Sequence, residues 1–311
     1  MGIKKNPSEA KHYIQSNSNK TKQNETKMAT PETEIDNGTS ESKQCCSIYK
    51  GNNDAKGYSW LAAGRGAIVM ANIFLNASLL VLAKEAAGCE LGEKCYTRVY
   101  GFYPSSWIAN IASIASLVAG FFMPLFGAVI DYTDYRRAIG IITAGIMIVI
   151  QGVQIYTVEG TWFAMLLLQA VAVAFYFLNL VSVYAYLPEI AREFGEHTMA
   201  SFTSNFQISQ FGMQSLYLVL FAVITIIFKP TTVRTGQISQ AINTMTSLIF
   251  FGVGWFKYLG PRNAVRELPK GHSLLLKGFQ NNFETMKSIQ THFKKGVRWF
   301  FLAVCFAQAG T

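Results

Sequence analysis

Between residues 66 and 256 the chain repeats one pattern six times: a run of 18 to 26 mostly apolar residues, then a polar joint. The runs are Gly66–Ala83, Trp107–Ile130, Ile139–Thr157, Trp162–Leu187, Ile208–Phe228 and Ile238–Phe256. As a helix, even the shortest reaches about 27 Å, close to the hydrocarbon thickness of a bilayer. Backbone groups in lipid must bond within their own segment, so each run is read as a membrane-spanning helix. One such run would also suit the buried helix of a soluble core. Six in series, with charged joints, would not. A seventh run starts at Val297 and reaches Thr311 after 15 residues, about 22 Å of helix.

Charge supports the same class. Only 14% of residues are charged, where a soluble domain carries about 25%. The net charge of +9 could suit nucleic acid, but the basic residues sit in tails and loops beside apolar runs, where they read as topology signals. No nucleic-acid partner is expected; the lipid bilayer is. Placing the N-terminus in the cytosol puts 22 of the 27 Lys and Arg on that side, Arg65 counted with the tail. The positive-inside rule therefore favours that orientation.

Four regions follow. Residues 1–56, rich in Ser, Asn, Thr, Lys and Glu, are expected to be a disordered cytosolic tail. Residues 57–256 form the six-helix bundle, residues 257–296 a basic cytosolic central loop, and residues 297–311 the start of a seventh transmembrane helix. The stretch Ser273–Lys295 looks amphipathic and basic, suited to an anionic leaflet or to a tether. In the tail, Cys45-Cys46 suits either palmitoylation or a pair of ordinary thiols. The loop CELGEKC faces the opposite side from the tail, and Cys89 and Cys95 are either a small disulfide or two free thiols. Two thiols without a nearby His make no metal site.

Polar side chains inside the runs are costly in lipid and tend to face a cavity or another helix. Asn72 and Asn76 share one helix face on the first run, Asn179 lies on the fourth, and Gln210 and Gln214 belong to a stripe on the fifth. These five are the candidate substrate-cavity residues, with helix–helix bonding as the alternative for each. Amides donate and accept at once, which suits a zwitterionic amino acid or a sugar. No ionisable residue is expected deep in any span. No Gly-x-Ser-x-Gly, His-Glu-x-x-His or phosphate-loop pattern occurs, and the four His are scattered outside the spans. No catalytic residue and no cofactor is assigned, and the chain is not read as an enzyme.

The joint GAVIDYTDYRR, Gly127 to Arg137, gathers two carboxylates and two arginines between two apolar runs. A charge at mid-bilayer costs about 2.5–3.5 kcal/mol on insertion scales, so the joint must be an interfacial turn. Gly127 would admit another helix, and Asp131 would accept from a helix N-terminus or pair with an arginine. Glu189 and Arg192 stand three apart just after Pro188 at the same end. Either Arg192 reaches Asp131, or Glu189 and Arg192 form a local pair.

The Gly-x-x-x-Asp pattern followed by a basic cluster resembles the signature loop of the major facilitator superfamily. Gly127, Asp131, Arg136 and Arg137 carry that resemblance, whereas Tyr132, Asp134 and Tyr135 depart from it. The segments FLNLVSVYAYLPEIAR, QISQFGMQSLY, LPKGHSLLLKGFQNNFETMKSIQ and FFLAVCFAQAG resemble, in order and spacing, the vacuole-effluxer branch of that superfamily, the autophagy-related transporters. The resemblance implies a major-facilitator-type N-terminal six-helix bundle plus a truncated seventh transmembrane helix. It implies a conformational latch built from Gly127, Asp131, Arg136, Arg137, Glu189 and Arg192. It also implies a small-molecule substrate, an amino acid exported from a vacuole or lysosome during autophagy. Twelve spans in two halves are the superfamily's pattern, so the chain is expected to be a fragment lacking the C-terminal half or a half-transporter needing a second one. A non-transporting membrane scaffold or receptor, or a carrier of another small solute, is the rival reading.

Overall fold

The computed structural model describes residues 52–89, 95–194, 196–264, 268, 273–292 and 299. The chain divides into two units, Met1–Gln44 and Cys45–Thr311, and all described residues belong to the second. The tail expected over 1–56 lies outside the described residues up to 51, as does the seventh run apart from Trp299.

The described residues form an all-α protein. Helix α1 runs Asn53–Ala86, α2 Pro104–Tyr132, α3 Arg136–Gln154, α4 Trp162–Tyr184, α5 Leu187–Phe194, α6 Glu196–Phe228 and α7 Thr232–Gly252. A π-helical turn, Val253–Tyr258, extends α7, and α8 spans Leu274–His292. Among the described residues, five stretches are long and apolar enough to cross a membrane: α1, α2, α3, α4 with α5, and Phe202–Phe228 within α6. The 21 residues of α7 also suffice in length, but Gln237, Ser239, Gln240, Asn243 and Thr244 dilute their apolar character. The protein is a multi-pass membrane protein.

Helix α1 is the axis of the bundle. It packs along α7 and α6 and also touches α4 and α2, while α3 lies between α4 and α7. Small residues on α1 permit this crowding. A Cβ at Gly64 would fall 2.9 Å from the Phe251 ring on α7, and one at Gly66 only 2.3 Å from the Gln210 carbonyl oxygen on α6. Such small-residue contacts let helix backbones approach where lipid offers no hydrophobic drive.

Helix α1 begins earlier than its hydropathy suggests. Asn52 caps it, accepting the Ala55 amide at 3.0 Å, and Asp54 sits in the first turn, where the helix dipole favours a negative charge. The twelve residues before Arg65, including Lys56 and Ser59, interrupt the apolar run, so Gly66 looks like the start when the helix has already made more than three turns. Arg65 is therefore a residue of α1, 3% exposed, and not part of the tail. The expectation that no ionisable residue lies deep in a span is corrected at this position.

Three apolar clusters fill the interior. One, around Tyr58, Leu61, Met147, Tyr186, Phe251 and Trp255, sits at the end that carries the α2–α3 joint. A second, around Leu75, Leu79, Trp162 and Leu166, sits toward the other end. The third, with Ala67, Ala71, Tyr217 and Phe221, seals α1 to α6.

Candidate functional site

The α2–α3 joint starts a network of charges that ties four parts of the bundle together. Arg136 and Arg137 are the first two residues of α3. Cations at a helix N-terminus oppose the helix dipole, so neither is placed there for the helix's sake. Both reach elsewhere. The Arg136 guanidinium, 1% exposed, donates from Nη1 to Glu189 Oε1 on α5 at 2.9 Å. Its face lies 5.1 Å from the centroid of the Tyr186 ring. Arg137 donates from Nε and Nη2 to the Trp255 carbonyl at 3.2 and 3.1 Å. Trp255 belongs to the π turn that ends α7, so the arginine supplies positive charge where the dipole of α7 favours it.

Glu189 continues the network. Its other oxygen lies 3.2 Å from Arg262 Nε as an ion pair, and Arg262 also pairs through Nη2 with Asp54 on α1. Burial works against the charge of Arg262, but the carboxylates of Asp54 and Glu189 outweigh it and raise its pKa above the ordinary arginine value. Beside these ions the Tyr186 hydroxyl donates to the Gly260 carbonyl at 3.1 Å, and the Ala264 amide donates to Asp134. The resulting clasp joins the starts of α1 and α3, the short helix α5 and the chain leaving α7.

Packing beneath the clasp fixes its geometry. The Trp255 indole presses on Gly140, where a Cβ would come within 2.2 Å of the ring. Asn179 on α4 donates to the Gly140 carbonyl at 2.9 Å and to Thr143 Oγ1 at 3.1 Å, holding α3 against α4.

The expected latch residues divide between two places. Arg136, Arg137 and Glu189 are in the clasp. Arg192 is exposed and lines a polar cavity of about 460 Å³ with Glu189 and Arg262, while the pairings of Glu189 run to Arg136 and Arg262. Gly127 and Asp131 instead line a cavity of about 520 Å³ between α2 and α8. A Cβ on Gly127 would meet nothing within 4 Å, so none of the described helices presses on it. The close approach occurs beside it, where a Cβ on Gly278 of α8 would lie 2.5 Å from the Pro124 carbonyl oxygen. Asn281 of α8 donates to the Tyr132 hydroxyl at 2.9 Å. The described part of the central loop thus docks on α2.

The candidate cavity residues also divide. Asn179 is 1% exposed and serves the α3–α4 tie. Asn72 and Asn76 are half-buried on α1, and Gln214 is half-buried on α6. Gln210 lines a cavity of about 390 Å³ that it shares with Tyr58 and Arg65 of α1 and Tyr184 of α4. At the opposite end of the bundle, Cys89 and Cys95 are joined as a disulfide, with Cα atoms 5.6 Å apart.

At the clasp end and just below it, Asp54 and Arg262 carry no sequence-based expectation, and Arg65 is expected in the tail rather than in a helix. Asn52-Asn53-Asp54 carries the signal of a helix start, an amide cap followed by an acid, and would have moved the start of α1 forward. Gly57, Gly64 and Gly66 around Arg65 point to a packed helix. Arg262 leaves no comparable trace, because its partner Asp54 is 208 residues away in sequence.

Comparison with known proteins adds one match. A family model described as vacuole effluxer Atg22 like matches residues 51–308. No curated protein and no solved structure matches the chain.

Proposed function

The chain belongs to the vacuole effluxer Atg22-like family, and from that premise we propose that it exports amino acids from a vacuole or lysosome during autophagy. The observation that carries this reading is the clasp. Transport by rocking of one helix bundle against another requires the helices of a bundle to move as one body. The Arg136–Glu189–Arg262–Asp54 chain, with Arg137 on Trp255, supports such a body by binding α1, α3, α5 and the end of α7 at one end. Arg136, Arg137 and Glu189 act as the latch, with Asp131 and Gly127 facing α8 and Arg192 at the rim. The clasp end faces the cytosol, in line with the distribution of Lys and Arg.

Enclosing a substrate at mid-membrane needs a second bundle. The transmembrane stretch of α6 supports a place for it, being buried over only 11% of its apolar window against 50% for α1. Such a bundle would come from further chain or from a second half-transporter.

The test is efflux from vesicles that hold the protein and are loaded with leucine, arginine or tyrosine. At least one is expected to leave faster than from empty vesicles. Retention of all three overturns amino acid export. Release of a sugar in their place would favour a carrier of another solute, and no release of any solute would favour a scaffold.

A further inference from the structure

We infer that Arg65 forms a subsite for a carboxylate, in the cavity between α1, α4 and α6. Arg65 stands about 18 Å along α1 from its first residue and is 3% exposed. Its Nε and Nη1 have no hydrogen-bond partner among the described residues. A buried charge without an ionic partner is costly, and a site that retains one has a use for it. The clasp, only a few turns away, shows the contrast: there each arginine has a carboxylate or carbonyl acceptor.

What surrounds Arg65 selects the ligand. The rings of Tyr58 and Tyr184 lie 5.6 and 5.9 Å from the guanidinium carbon. They stabilise the cation through its faces, and Tyr58 also hydrogen-bonds it, while Nε and Nη1 stay without an acceptor. Two unmet donors on a buried cation call for a negatively charged oxygen acceptor. Among the described residues Arg65 is the one cation lining the cavity, which fits a single negative charge better than a phosphate dianion. Gln207 and Gln210 offer amides to a second polar group, and Leu187 and Phe206 offer an apolar wall. The volume of about 390 Å³ falls within the range for small-molecule sites. A carboxylate carrying an apolar substituent satisfies all of these features.

The inference rests on the transport reading for one point, that the carboxylate arrives as a solute. The experiment keeps the two apart. The full chain in detergent is titrated with L-leucine, acetate, L-leucinamide and inorganic phosphate, and the thermal midpoint is followed. Leucine is expected to raise the midpoint saturably, with acetate weaker, leucinamide at least about tenfold weaker, and phosphate without effect. Arg65→Gln should abolish the leucine response. Should that variant not fold, Arg65→Lys, which keeps the charge and loses the planar, directed donors, should weaken leucine about tenfold, and Gln210→Ala should weaken it severalfold. Equal responses to leucine and leucinamide, a phosphate response as large as leucine's, no response to either carboxylate, or wild-type affinity in Arg65→Lys would each overturn the site. Leucine efflux from vesicles reads the other claim. Arg65-dependent binding without any efflux sinks the transport reading and leaves the site. Efflux that is unchanged in Arg65→Lys, with binding indifferent to the carboxylate, does the reverse.

Discussion

Arg136 is the residue on which the clasp depends. It is 1% exposed, and among the described residues Glu189 is its one ionic partner. Breaking a buried pair by removing one member is far costlier than replacing both, because the survivor keeps its charge without compensation. Glu189→Gln is therefore expected to lower stability by about 3 kcal/mol. Adding Arg136→Gln to it should recover part of that loss. Denaturation of the single and double variants in detergent reads the coupling, and fully additive losses would show that the pair is not a unit. The Arg262 side of the network is different in kind. Arg262 is 41% exposed, so screening by solvent limits each of its pairs to about 1 kcal/mol or less. Arg262 contributes mainly by holding Glu189 toward Arg136.

At the scale of elements, the α3–α7 contact depends on the absence of a side chain. Gly140→Ala would drive a methyl into the Trp255 indole, and the strain of overpacking is expected to cost about 1–3 kcal/mol. It would also disturb the Trp255 carbonyl that Arg137 holds. Gly120→Ala on α2, which would meet nothing within 4 Å, is the matched control, and thermal melts of the two variants should differ clearly. Elements of this protein were readable from sequence where one physical signal dominated. Apolar length located α2, α3, α4 and α6, because lipid leaves the backbone no other choice. It misplaced the start of α1, where capping by Asn52 and packing through glycines sustain a helix that hydropathy does not mark. The clasp was half readable: Arg136, Arg137 and Glu189 stand out as charges beside apolar runs. Arg262 and Asp54 do not, since their pairing is created by tertiary folding alone. Asn179 was readable as a polar group inside a span, but its bonds to Gly140 and Thr143 depend on the crossing of α3 and α4.

For the whole molecule, the two ends of the bundle differ in chemistry. One carries the clasp, the other the Cys89–Cys95 disulfide. If the clasp end faces the cytosol, a membrane-impermeant maleimide should reach a cysteine placed at Asp134 from the cytosolic side only. Cys89 and Cys95 should react from the opposite side, and only after reduction. Labelling of both positions from one side would overturn the topology.

The length of α1 has a mechanical consequence. Its 34 residues amount to about 51 Å of helix, against about 30 Å of hydrocarbon. About 20 Å of rod must overhang the oil or be accommodated by slant. Asp54 lies at the clasp-end tip of that rod, so a change of slant of about 10° would sweep it sideways by more than 3 Å. A shift of that size is as large as a hydrogen-bond length, enough to part Asp54 from Arg262. The central helix is in this sense a lever arm, and the ions at its tip respond to its angle.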